Sequence, residues 1–161
     1  MAAPLDHTML GLTFERYPDG AEFPKVPPHI TVLPWFTGRK GVVDYIVRTT
    51  CEQTSPFGVY LGEPGQVGAP GYEKDARFVQ STELLKFHKQ LFYRLRDEGV
   101  QFSHQGWLGD GYNPHFRAGA EEAFMADGDT RIFSHLAVIQ NLRTGVAEEG
   151  TKSITTIELG D

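Results

Sequence analysis

Pro28-His29-Ile30-Thr31 and Pro114-His115-Phe116-Arg117 carry one pattern twice, once in each half of the 161-residue chain: proline, histidine, an apolar residue, then a side chain that donates hydrogen bonds. In an extended strand, residues i and i+2 share a face. Each copy therefore presents an imidazole and a donor on one side, and turns Ile30 or Phe116 the other way, into a core. The proline favours entry from an extended segment, although it has no N–H to give to a strand ladder. A lone histidine on a strand is ordinarily a surface residue or a satisfied core residue. A second copy with matched flanks has no obvious folding purpose, and it shifts the reading toward chemistry.

Brought around one small volume, two imidazoles and two donors meet the needs of phosphodiester cleavage. One histidine takes a proton from the nucleophile while the other protonates the leaving oxygen. The ordinary imidazole pKa, about 6.5, suits both tasks near neutral pH. Thr31 and Arg117 would hold the non-bridging oxygens and stabilise charge as it develops. The planar fork of arginine can grip two such oxygens.

Outward from the two motifs, the pattern predicts strands at Thr8–Phe14, His29–Phe36, Phe57–Leu61, Ala76–Val79, His115–Ala118, Ile132–Leu142 and Ser153–Leu159. Two stretches read as helices. Val43, Ile46, Val47 and Cys51 recur at helical spacing across Lys40–Gln53. Ser81 caps a second helix with Glu83 in its first turn; Leu84, His88, Leu91, Phe92 and Leu95 form its stripe, and Gly99 stops it. The Gly- and Pro-rich segment Gly62–Gly71 reads as a loop between strands; it lacks the Lys-Ser/Thr ending of a phosphate-binding loop. Strands with two inserted helices give an α+β domain, helices packed outside antiparallel sheets.

Nothing in the composition divides the chain, so residues 1–161 are expected to form one domain. The formal charge of −6 argues against broad duplex binding, which depends on Lys and Arg neutralising phosphates, so duplex DNA is not an expected partner. A single cysteine, Cys51, excludes an internal disulfide and fits a reducing compartment. Met1–Leu10 shows no secretory pattern, and the apolar runs fall short of a membrane span. A cytoplasmic location without membrane association is expected.

At the two His-centred motifs the chain resembles the two-histidine (2H) phosphoesterase superfamily, the LigT-like or 2′-5′ RNA ligase-like proteins. His29-Ile30-Thr31-Val32 fits the family's His-x-Thr/Ser motif fully; His115-Phe116-Arg117 fits in its first two residues and has Arg where Thr or Ser is usual. The resemblance implies two pseudo-symmetric lobes of antiparallel strands with outer helices, a central groove, and neither metal nor cofactor. It implies that His29 and His115 are the acid–base pair and Thr31 a phosphate ligand. It further implies hydrolysis of 2′,3′-cyclic phosphates, 2′-5′ linkages or related nucleotide esters, with RNA end joining as an alternative. Arg117 in place of a hydroxyl is a stronger, charged donor, or the mark of an altered substrate preference, or that of a nucleotide- or RNA-binding module that no longer turns over. Many relatives carry a helix between the first strand and the first motif; this chain shows no obvious one.

Other residues have plainer readings. His88 on its apolar stripe is expected in packing, His104 and His135 lack partners at metal-ligand spacing, and the role of His7 is open. With one cysteine and no His-x-x-x-His or His-x-Glu pattern, no metal centre is expected. Trp35, Trp107 and Tyr112 are candidates for stacking on a nucleobase, Tyr112 best because it directly precedes Asn113-Pro114-His115.

Overall fold

The computed structural model describes residues 4–24, 26–68, 70–103, 105–117, 129–141 and 151–160; the side chains of 4–7, 117 and 151–154 lie outside the described set. His104 and Ala118, and the side chains of His7 and Arg117, are therefore not placed.

The second helix forms as its sequence dictates. Helix α2 (Thr82–Asp97) starts at Ser81, whose Oγ accepts the Leu84 N–H at 3.1 Å and donates to the Gly58 carbonyl at 2.7 Å. Its stripe of Leu84, Phe87, His88, Leu91 and Leu95 is buried, each leucine contributing on the order of 2 kcal/mol. Gly99, at φ 88°, takes the left-handed conformation that turns the chain out of the helix. Helix α1 (Lys40–Glu52) buries Val43, Ile46, Val47 and Cys51. Burial pushes the Cys51 thiol up to about 12, so it behaves as a small apolar residue. Arg94 of α2 donates to the hydroxyls of Thr49 and Thr50, joining the two helices.

Ten strands complete the described chain: β1 (Pro4–Thr13), β2 (Glu22–Phe23), β3 (His29–Arg39), β4 (Phe57–Val67), β5 (Lys74–Gln80), β6 (Gln101–Phe102), β7 (His115–Arg117), β8 (Thr130–Phe133), β9 (His135–Asn141) and β10 (Thr151–Glu158). They form a six-stranded sheet in the order β2-β10-β9-β1-β3-β6 and a four-stranded sheet in the order β7-β5-β4-β8. Every pairing is antiparallel. The architecture is α+β, and the two sheets make its two lobes. Helix α1 packs on β3 and β10, and α2 on β3 and β4. One core joins the lobes, drawing Leu10, Ile30 and Phe36 from the large sheet and Leu61, Phe116 and Phe133 from the small one. The other face of the large sheet carries a second cluster of Met9, Ala137 and Ile139, against which Val26 and Trp35 pack. No helix among the described residues is long and apolar enough to cross a membrane.

Two expectations are corrected. Most of Gly62–Gly71 is not loop, because β4 continues to Val67 and pairs with β5 as far as Val67 opposite Lys74, with a register shift between Leu61 and Pro64. Gly62 and Gly65 serve close packing, while Gly68 and Gly71, at φ 121° and 86°, turn the chain after the strand. A Cβ on Gly65 would run into the Phe78 ring, and one on Gly62 would lie 3.1 Å from the Phe78 carbonyl oxygen. The single strand expected over Ile132–Leu142 is two strands that change sheets, β8 in the small sheet and β9 in the large one. The break falls at Ser134, whose carbonyl accepts the Leu159 N–H and whose hydroxyl accepts from Arg16. Between β1 and β3 the described residues contain only the short β2, in keeping with the missing helix.

Candidate active site

His29 opens β3 and lies opposite Thr13 of β1, with Gly11 opposite Thr31. A Cβ on Gly11 would lie in ordinary contact with the His29 side chain, at 3.5 Å. His29 Nδ1 donates to the Pro27 carbonyl at 2.8 Å. That bond sets the tautomer: the neutral ring carries its lone pair on Nε2. Nε2 lies 3.0 Å from Thr31 Oγ1, so residues i and i+2 do share this face.

His115 opens β7 and repeats the device. Its Nδ1 donates to the Asn113 carbonyl at 2.9 Å, again two residues upstream, leaving Nε2 as the nitrogen for chemistry. Phe78, its partner across β5 and β7, meets the ring edge-on with centroids 6.4 Å apart. The two strands belong to different sheets rather than lying side by side in one. They meet across the groove between the lobes, and both imidazoles line one cavity of about 450 Å³. Thr31, Tyr112, Trp35 and Trp107 line it as well. Arg117 extends β7 opposite Ala76, its side chain outside the described residues.

Tyr112 bridges the lobes. Its hydroxyl donates to the Thr31 carbonyl at 2.6 Å, and burial pushes its pKa upward. Its ring lies flat on His88, with centroids 3.8 Å apart and planes at 6°. One face of Tyr112 is thus already covered. His88 is fully buried, as its stripe position implies, but it does more than fill space. Its Nδ1 donates to the Val32 carbonyl at 2.6 Å, and its Nε2 accepts the Gly109 N–H at 2.9 Å. Desolvation lowers its pKa, the Val32 bond opposes this in part, and Lys89 adds a smaller lowering; with Nε2 accepting from Gly109, the ring is neutral. Strand β3 beside Thr31 and the segment leading to His115 are both held by this imidazole–phenol pair.

His135 is also buried. The Thr13 hydroxyl donates to the Glu15 carbonyl, so it accepts from His135 Nε2 at 3.0 Å. Burial, then the charge of Arg16, lowers the proton affinity of His135. Among the described residues no three His, Cys, Asp or Glu side chains gather as metal ligands.

Sequence reasoning missed the carbonyls of Pro27 and Asn113, which carry no side-chain signal, although the residue two before each histidine is a consistent place to look. It also missed the contributions of Met9, Val26 and Gln66–Gly68 to the cavity, which depend on how β1, β4 and the β2–β3 segment come together.

An α+β chain with one Nδ1-anchored histidine strand in each of two lobes, both open to one cavity, has the fold of the LigT-like, two-histidine phosphoesterases. Among solved structures it superposes on a phosphoesterase (TM-score 0.59, 9% identity, 98% of this chain and 99% of that one). It also superposes on TT0787 of Thermus thermophilus (TM-score 0.57, 10% identity, 96% and 99%) and on LigT of E. coli complexed with 3′-AMP (TM-score 0.56, 9% identity, 99% and 100%). No protein-family model matches the sequence, and no curated protein matches it.

Proposed function

We propose that the protein is a phosphodiesterase that hydrolyses a nucleotide ester of the 2′,3′-cyclic phosphate or 2′-5′ class with its two histidines as general base and general acid, and without a metal ion. The observation that carries this reading is the repeated geometry: two imidazoles, each with Nδ1 tied to a carbonyl, bordering one cavity. In the reaction one Nε2 takes a proton from water as its oxygen bonds to phosphorus. The other imidazolium gives a proton to the departing ribose oxygen, leaving a phosphomonoester and a free hydroxyl. Each such proton transfer is worth about 10²–10⁴-fold. Thr31 and Arg117 hold the non-bridging oxygens in this scheme. The 3′-AMP complex of E. coli LigT supports a nucleotide as the occupant.

The test is turnover of 2′,3′-cyclic nucleotides, 2′-5′ dinucleotides and cyclic dinucleotides with EDTA present. Undiminished hydrolysis in chelator, with a bell-shaped pH dependence of kcat/KM, is expected. Arg117→Ala should lower kcat/KM by about 10²–10³-fold, the usual loss of one oxyanion donor. Full activity in that variant removes Arg117 from the site. Binding without turnover in the wild type points to a non-catalytic module, and a joined product from RNA ends points to ligation.

A further inference from the structure

The His29 motif sits beside an irregularity in its own strand. Leu10 lies opposite Leu33 and Gly11 opposite Thr31, so Val32 is an extra residue on β3, a β-bulge. Val32 and Leu33 accordingly both turn into the shared core, and both are fully buried. A bulge bends its strand and re-aims the side chains next to it. Here the neighbour is Thr31, whose hydroxyl lies 3.0 Å from His29 Nε2. The carbonyls of Thr31 and Val32 are met by two side chains stacked on one another, the Tyr112 phenol and the His88 imidazole. The carbonyl of Asn113, next in the chain after Tyr112, accepts from His115 Nδ1. Tyr112 therefore ties the strand that carries Thr31 to the segment that aims His115.

We infer that Tyr112 is a positioning residue: its hydroxyl pins the bulge that follows the His29 motif, and so fixes where the Thr31 hydroxyl stands against the phosphate. The inference rests on the phosphodiesterase reading for its reaction, but not for the contact itself. Tyr112 borders the cavity, yet its hydroxyl is spent on the Thr31 carbonyl at 2.6 Å and one ring face on His88. Burial pushes its pKa upward, so the phenol stays a donor. Strand β6 pairs with β3 at Phe36 and Thr37, short of the bulge, so the phenol reaches a stretch of β3 that this neighbour does not cover. Removing the hydroxyl loosens the bulge without unpairing the sheet. A phosphate donor displaced by about 1 Å costs on the order of a hundredfold in rate.

Tyr112→Phe keeps the ring on His88 and removes only the hydroxyl. On a 2′,3′-cyclic nucleotide it should lower kcat about ten- to a hundredfold and change KM less than about threefold. Thr31→Ala should lower kcat about a hundredfold. In the double variant Tyr112→Phe should cost less than about threefold more, because the group it positions is gone. Losses that multiply in the double variant, or wild-type kcat in Tyr112→Phe, overturn the proposal. Val47→Ala, in the core beneath α1, is the stability control. It should keep wild-type kcat; a loss there equal to that of Tyr112→Phe would make the effect one of stability and overturn the proposal. If the wild type hydrolysed no ester, the reaction would fall, and the Kd of inorganic phosphate would test the contact by itself. Inorganic phosphate carries more charge on its oxygens than the ester, so Tyr112→Phe and Thr31→Ala should each weaken it about tenfold. The double variant should bind phosphate no worse than the weaker single one; effects that multiply would overturn the positioning role.

Discussion

His29→Ala and His115→Ala are each expected to lower kcat on a 2′,3′-cyclic nucleotide by about 10²–10⁴-fold, with KM changed only a few-fold. The two rings are held the same way, by Nδ1 donating to the carbonyl two residues upstream, at 2.8 Å for His29 and 2.9 Å for His115. Each bond aligns a ring and assigns its proton, so the reactive Nε2 is positioned before substrate arrives. Alanine removes the proton carrier and leaves the strand. His29 begins a strand paired with β1 along most of its length, and His115 begins one paired with β5, so neither fold contact depends on the ring. Rapid-quench measurement of the chemical step checks both variants. Wild-type rates in either one remove that histidine from the mechanism.

His88→Ala carries the largest expected cost in stability, about 3–5 kcal/mol, against a typical total of about 5–15 kcal/mol. The change opens a cavity under Tyr112 and leaves the Val32 carbonyl and Gly109 N–H without the partner they share. Urea unfolding with an unchanged m-value measures it, and a loss below about 1 kcal/mol would show that the ring is not a strut. The same residue sets a pH dependence. Its folded pKa is lowered, chiefly by burial, so below about pH 6.5 the unfolded chain binds a proton that the folded chain refuses. Stability is therefore full above that value and falls as pH drops from it through the depressed folded value. His135, lowered by burial and by Arg16, acts in the same direction. In His88→Phe the acid slope should become shallower without vanishing; an unchanged slope would assign the effect elsewhere.

What could be read from the chain differs by kind of residue. Helix α2 was legible from end to end because Ser81, the stripe and Gly99 are local signals. The histidine strands were legible because alternation and repetition are also local, and the placement of His29, Thr31, Tyr112 and His115 on one cavity follows them. Glycine misled at Gly62 and Gly65. Turn and close approach call for the same residue, and only the Phe78 ring on the neighbouring strand distinguishes them. The switch of sheets at Ser134 was hidden because β8 and β9 have similar strand-forming composition and the break depends on the distant Arg16 and Leu159. His88 read correctly as buried, but its role in joining the lobes needs Val32, Gly109 and Tyr112, which are brought to it from separate segments by the fold.

The claim that both imidazoles act on one phosphate in one step is tested most directly by a double-mutant cycle on the single-turnover rate of 2′,3′-cyclic nucleotide hydrolysis. The double variant His29→Ala/His115→Ala should be hardly slower than the slower single variant, since either ring alone has lost the partner that makes it effective. Losses that multiply fully in the double variant would contradict a concerted pair.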